Sequence, residues 1–285
     1  RGLDQFGEAG DALLLADGRR ARSRSVEEAM TDEGLTLEKR GQVALVPLNR
    51  PPVNAWNLAN MERFAAALAT IESDREVRAV VLTGGGEKCF SADFDVADAA
   101  NSARAALLGR ELWRRLDCLA KPVIAAINGH ALGGGLELAL SCHFRLVADR
   151  ESVKLGLTEL NLGIMPGWGG TQRLARAVGR ATALEMILLG RTLSPREAHA
   201  VGLVNRLIAP AAIVDSALEL AGQLAARPPL AVAWVLRAMT AGSYESLPSG
   251  LATEAQGTYV VGSSNDCREG FTAFLEKRPP VFTGE

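Results

Sequence analysis

Hydrophobic positions along the chain switch repeatedly between a period near two and a period near 3.6. The runs Leu35 to Glu38 and Val43 to Leu48 predict two strands, with Arg40-Gly41-Gln42 as a hairpin turn. Asn49 to Trp56 predicts a loop, because Pro51 and Pro52 disfavour helix. Asn57 is placed to cap a helix over Leu58 to Ser73, where Met61, Phe64, Ala65, Leu68 and Ile71 keep helical spacing. Ala79 to Leu82 predicts a strand ended by Thr83-Gly84-Gly85-Gly86, and Cys89 to Val96 a loop of small residues with two acids. Ala103 to Leu119 predicts an amphipathic helix, stopped by Lys121-Pro122. Val123 to Ile127 reads as a buried strand that enters a helix through Gly133-Gly134-Gly135, with Leu136, Leu138, Ala139 and Leu140 as its apolar residues. Phe144 to Ala148 predicts a further strand. Glycine and proline density argues against regular structure from Gly163 to Gly170. Beyond Gln172 the pattern is helical, with one strand near Leu203 to Ile208. Arg227-Pro228-Pro229 separates two helices, and the last ends at Lys277-Arg278-Pro279-Pro280.

Strand, glycine-bearing loop and helix recur at Val80 to Asp95 and again at Val123 to Glu137. That repetition predicts an α/β protein of stacked β-β-α units. Residues 32 to 208 form the expected core. Residues 209 to 285 form a helical region expected to pack on the core or on a neighbouring subunit. Residues 1 to 31 are read as an N-terminal extension of unassigned role. Its basic run Arg19-Arg20-Ala21-Arg22-Ser23-Arg24 is diluted by Asp4, Glu8, Asp11, Asp17, Glu27 and Glu28, unlike an acid-poor transit peptide.

Composition narrows the function classes. The 285 residues are 48% hydrophobic and 22% charged, which fits a globular chain with a sizeable core. The net charge is −2 and the pI about 6.1, so there is no basic field to attract nucleic acid. No apolar run reaches the length of a membrane span. Cys89, Cys118, Cys142 and Cys267 are far apart and form no CxxC pair, which predicts a reducing, cytoplasmic setting and no structural zinc.

The glycine-opened helix is the first chemical candidate. Its leading N–H groups lack intrahelical partners, and glycine allows another group to approach the backbone, so Gly133 to Gly135 is suited to holding a developing oxyanion. Glu137 stands in the first turn beside that spot, and Glu159 precedes the Gly-Pro loop. Two carboxylates around one water can divide acid and base work when their environments split their proton affinities. Taken alone the pair is a weak signal in a chain with 33 acidic residues. His130 is expected to make a structural hydrogen bond, and His143 and His199 have no partner at metal-ligand spacing. No serine sits in a GxSxG elbow, and Gly84-Gly85-Gly86 does not complete a GxGxxG turn. Phe94 and Trp168 are expected as core or pocket wall, and Arg173, Arg176 and Arg180, at helical spacing, as a solvated face.

Three ordered motifs carry a resemblance: Phe90-Ser91-Ala92-Asp93-Phe94-Asp95; Asn128-Gly129-His130-Ala131-Leu132-Gly133-Gly134-Gly135-Leu136-Glu137; and Gly163-Ile164-Met165-Pro166-Gly167-Trp168-Gly169-Gly170-Thr171-Gln172-Arg173-Leu174. Together they resemble the enoyl-CoA hydratase/isomerase (crotonase) family. The likeness runs from about Leu35 through Gly202-Leu203-Val204 to Arg268-Glu269-Gly270-Phe271 and Phe274-Leu275-Glu276-Lys277-Arg278. It implies the crotonase (ClpP-like) fold, a homotrimer or dimer of trimers, and an acyl-CoA thioester as ligand. CoA is then part of the substrate, with no separate cofactor, metal, nucleic acid or membrane partner.

By motif position, the resemblance puts the two backbone donors for the thioester oxygen on Phe94 and Gly134. It implies substrate contacts at Ala55, Ala92, Asp95, Val96, Ala97, Gly133 and Trp168. Asp93 stands where the family usually has glycine, and Phe94 where it often has a small residue. Glu137 and Glu159 match the two catalytic glutamates of the hydratases, which implies water addition to a trans-2-enoyl-CoA to give the 3-hydroxyacyl-CoA. The alternatives are a 3,2-enoyl-CoA isomerase, an acyl-CoA lyase, or a non-catalytic acyl-CoA- or RNA-binding homologue. Phe271 or Lys277, in the last helix, is expected near a neighbouring subunit's ligand.

Overall fold

A computed structural model describes residues 34–285; the extension expected over residues 1 to 31 lies outside them. The main sheet is built on β3 (Val43–Asn49), β4 (Ala79–Gly84), β6 (Val123–Ile127), β8 (Phe144–Ala148) and β10 (Arg206–Ile208), paired in parallel in that order. β1 (Gly34–Leu35) and β2 (Glu38–Arg40) run antiparallel along the free edge of β3, with Glu38 opposite Leu45 and the turn at Gly41-Gln42. β3, β4 and β6 are buried along their whole lengths. That explains their near-continuous apolar runs, since a parallel sheet is covered on both faces.

Alternate residues of these strands enter two separate cores, as the two-residue period requires. Val46, Leu82 and Ile127 face one core together with α1 (Leu58–Ser73) and α2 (Ser102–Asp117). Leu45, Val81 and Ile124 face the other, which is closed by Ile213, Ala217, Leu220 and Ala221 of α7 (Ile213–Ala225). The first helix of the C-terminal region therefore packs on its own core. α1 begins where expected: the Asn57 side chain accepts from the Asn60 N–H at 2.9 Å. Burying a side chain such as Phe64 or Leu112 contributes about 1.5–3 kcal/mol.

A second sheet positions the chemistry. β5 (Cys89–Ser91), β7 (His130–Leu132) and β9 (Leu155–Gly156) pair in parallel. The repeats are thus β4-β5-α2 and β6-β7-α3, with α3 at Gly134–Leu140, and then β8-β9 ending in a 3-10 turn at Glu159–Leu162. Two expectations are corrected here. Cys89 to Ser91 is a strand rather than the start of a loop, and β6 does not pass straight into the glycine helix but first makes β7. Strands of two or three residues have too few positions to show a period, and only pairing with distant neighbours defines them.

α4 (Gly170–Val178), α5 (Arg180–Leu188) and α6 (Pro195–Ala200) follow an irregular stretch from Gly163 to Gly169. After α7 come α8 (Pro229–Tyr244), α9 (Leu247–Gly262) and α10 (Asn265–Glu276). α8 and α9 pack on each other, while Val235, Met239, Leu251, Phe271, Phe274 and Leu275 are exposed. The tail returns to the core, where the Arg78 guanidinium donates to the Phe282 carbonyl at 3.0 Å. Among the described residues no helix is long and apolar enough to cross a membrane.

Candidate active site

The residues singled out in three separate motifs meet at the edge of the small sheet. Gly133, with φ +52°, turns the chain from β7 into α3. Neither Gly134 nor Gly135 has room for a side chain: a Cβ would come to 2.1 Å from the Trp168 ring at Gly134 and 1.9 Å from the Ser91 carbonyl oxygen at Gly135. The triple glycine is thus a packing requirement as well as a turn.

Glu137 lies one turn into α3 and is 2% exposed. Its Oε1 accepts from two backbone donors, Trp168 N–H at 2.8 Å and Gly170 N–H at 2.7 Å. The Gly-Pro loop therefore exists, in part, to aim two amides at one carboxylate. Burial lifts the Glu137 pKa to about 7, while the two amides, Gly170 first, pull it back down. Glu159 opens the 3-10 turn and is also 2% exposed. Neither of its carboxylate oxygens has a hydrogen-bond partner among the described residues. Burial, with smaller contributions from the charges of Asp93 and Glu137, lifts its pKa to about 8. A hydrogen-bonded carboxyl and an unpartnered one that feels the charge of the first suit a base and an acid respectively.

The two backbone donors expected at Phe94 and Gly134 converge on one oxygen. Asp93 Oδ1 accepts from Phe94 N–H at 2.7 Å and from Gly134 N–H at 3.1 Å. Both amides are thus taken up by one carboxylate oxygen of the chain itself. Burial raises the Asp93 pKa, and these two amides oppose the rise.

The loop carrying Ala92 to Asp95 is held by the segment Arg50 to Trp56. Ala92 N–H donates to Val53 at 3.0 Å, Trp56 N–H to Asp93 at 3.1 Å, and Asp95 N–H to Trp56 at 2.7 Å. Asn54 adopts φ +53°, and its side-chain amide donates to the Cys89 carbonyl at 2.7 Å, while Ser91 Oγ donates to the Asn54 carbonyl at 2.9 Å. Arg50 reaches the Ala55 carbonyl at 3.2 Å and pairs with Asp95. Asp95 also accepts from Ala97 N–H at 3.0 Å, and that amide, with Arg50, holds its carboxyl below the usual range. Ala55, Asp95, Val96 and Ala97 thus share one loop cluster, with Val96 exposed. No role was expected for Arg50 or Asn54, where the available signal was an asparagine shortly after a proline pair, and Ser91 stood in a quoted motif without an assigned role.

Trp168 is buried, its ring 5.2 Å from that of Trp113, which meets Trp56 edge-on at 5.0 Å. It is a wall packed against Gly134, and its backbone rather than its ring meets Glu137. Phe94 is half-buried against the same core. Arg173 corrects the expectation of a solvated arginine face. It is only 11% exposed, pairs with Asp117 at 2.8 Å, and donates to the Trp168 carbonyl at 2.8 Å. Helical spacing with Arg176 and Arg180 concealed that α4 turns this one residue inward. His130 Nδ1 accepts from Lys154 N–H and His143 Nδ1 from Val123 N–H, both at 3.0 Å, so both are structural.

Known proteins resemble this chain over most of its length. The family profile described as Enoyl-CoA hydratase/isomerase matches residues 38–285. The chain is 39% identical over 248 residues to the short-chain-enoyl-CoA hydratase of Clostridium acetobutylicum, covering 85% of this chain and 94% of that one. It is 36% identical to the crotonyl-CoA hydratase of Syntrophomonas wolfei, covering 89% of this chain and 99% of that one. The crystal structure of an enoyl-CoA hydratase from Bacillus anthracis superposes with a TM-score of 0.85 at 39% identity, covering 89% of this chain and 100% of that one.

Proposed function

The chain belongs to the enoyl-CoA hydratase/isomerase family, and we propose that it adds water to a trans-2-enoyl-CoA to give the 3-hydroxyacyl-CoA. The observation that carries this reading is the pairing of two buried glutamates with opposite hydrogen bonding beside two convergent backbone amides. Phe94 N–H and Gly134 N–H bind the thioester oxygen and draw charge from the β-carbon. Glu137 is charged and takes a proton from the water that both glutamates hold. The water oxygen bonds to the β-carbon, the double-bond electrons move to the thioester oxygen, and an enolate rests on the two amides. Glu159, protonated, gives its proton to the α-carbon as the enolate collapses. Glu137 then carries a proton and Glu159 a charge, and exchange with solvent resets the pair. Losing one such oxyanion donor typically costs about 3 kcal/mol.

Substrate contacts at Ala55, Ala92, Asp95, Val96, Ala97 and Gly133 complete this reading, with the CoA portion along the Arg50–Asp95 loop cluster. We further propose a homotrimer or dimer of trimers, which the exposed apolar side chains of α8 to α10 support; sedimentation velocity tests it, and a monomer at micromolar concentration defeats it. A cytoplasmic setting is supported by four unpaired cysteines. The direct test is loss of the conjugated enoyl absorbance of crotonyl-CoA. Glu159→Gln should abolish that loss while leaving CoA binding intact, and hydration at the parental rate would reject the mechanism.

A further inference from the structure

The oxyanion-hole donors are engaged by the chain itself. Asp93 Oδ1 sits 2.7 Å from the Phe94 nitrogen and 3.1 Å from the Gly134 nitrogen, the point that a thioester oxygen must reach. Three features hold it there. The loop on either side is tied by the Trp56–Asp93 and Asp95–Trp56 backbone bonds. Gly133 leaves the space that the other carboxylate oxygen needs, since a Cβ at that position would lie 2.3 Å from Asp93 Oδ2. Trp168, itself buried, closes against Gly134 on the remaining side.

We propose that Asp93 is an internal competitor for the oxyanion hole, a residue that a thioester must displace before the site can act and that thereby sets the threshold for substrate. The inference rests on the oxyanion-hole role assigned above to Phe94 and Gly134. A carboxylate is a charged acceptor, and a hydrogen bond to it is about twice as strong as one to a neutral carbonyl. A resting thioester is therefore the weaker ligand for these two amides. It takes the hole only with help from contacts along the rest of CoA and the acyl chain. Short or poorly fitting thioesters bind more weakly, because the energy of displacement comes from those remote contacts. The cost falls on entry to the site, so it weighs on KM rather than on kcat.

The other reading of Asp93 is purely structural: it satisfies the Gly134 N–H at the start of α3, and its loss would only loosen the turn. The two readings separate in ligand binding. Calorimetric titration of the full chain with acetyl-CoA, which has a thioester carbonyl, and with free CoA, which has none, is done for the parent, Asp93→Gly and Asp93→Asn. The expected result is a fall in the acetyl-CoA Kd of about tenfold or more in Asp93→Gly, the scale of freeing amides from a charged acceptor. The CoA Kd should stay within about twofold, and Asp93→Asn should lie between, since its neutral amide oxygen is a weaker acceptor.

Equal changes for the two ligands, an acetyl-CoA Kd unchanged or raised, or no binding of either ligand to any form would overturn the proposal. Should Asp93→Gly fail to fold, the near-isosteric Asp93→Asn decides alone, by whether acetyl-CoA tightens relative to CoA. Turnover of crotonyl-CoA is read separately, where KM should fall in Asp93→Gly. Absence of hydration in every form would reject the hydratase reading and leave the binding result to stand.

Discussion

Glu137 Oε1 lies 2.7 Å from the amide nitrogen of Gly170, in space that a side chain at position 170 would invade. A Cβ there would stand 2.9 Å from that oxygen and 2.8 Å from Leu157 Cδ1. Gly170→Ala should therefore leave the fold intact by circular dichroism yet lower kcat for crotonyl-CoA by about 10- to 100-fold, the scale of a misplaced catalytic group. A parental kcat would show that Glu137 need not stay where the two amides hold it.

The two glutamates should differ from the rest of the 33 acids in what their amides do. Glu137→Gln and Glu159→Gln are each expected to lower kcat by about 10²- to 10⁴-fold, the range for loss of a general acid or base. Acetyl-CoA affinity should change little in either. A variant that loses binding and turnover together would point to a structural role instead.

The pH profile follows from the opposing demands on the pair. Activity needs Glu137 ionised and Glu159 protonated, with pKa values of about 7 and about 8. The plot of kcat/KM against pH should be a narrow bell with its maximum between those values, falling on the acid side as Glu137 gains a proton and on the basic side as Glu159 loses one. The two limbs belong to the coupled pair. A profile flat from about pH 6 to 9 would contradict it.

Stability should move with the same protons. Both folded pKa values lie above the ordinary value of 4.5, so the folded chain binds more protons than the unfolded chain between these limits. The contribution is fully present below about 4.5 and is lost as pH rises through 7 and 8. Each tenfold difference in proton affinity between the folded and unfolded chain corresponds to about 1.4 kcal/mol. Glu159→Gln should therefore raise Tm over the parent at about pH 9 and much less at about pH 5. An equal gain at both would mean that burial of the charge is not its cause.

Asp93 raises the pKa of both glutamates through its charge, against Arg173, which lowers that of Glu137. Removing the charge with Asp93→Asn should shift both limbs of the bell to lower pH. An unshifted profile would show that the Asp93 charge does not act on the pair.

Much of this was legible in the residues. The caps, the 3.6-residue spacing of α1 and the apolar runs of β6 and β8 are local properties, and the structure has Leu58–Ser73, Val123–Ile127 and Phe144–Ala148 where the pattern predicts them. The ordered glycine motifs carried the resemblance to the family, and at Gly134, Gly135 and Gly170 the glycine answers a steric demand that a side chain would violate. Asp93 was visible as a departure from the family pattern, but its consequence was not.

Tertiary structure decided the rest. The three strands of the small sheet are too short for any period and exist only through long-range pairing, Cys89 with His130 and Ala131 with Leu155. Arg173 belonged to a surface pattern until α4 turned it toward Asp117. Whether two amides converge, and which oxygen they hold, depends on distances between residues remote in the chain. Local sequence encodes conformations one element at a time, whereas proton affinities and the occupancy of a hole arise from burial and juxtaposition, which come into being only when those elements meet.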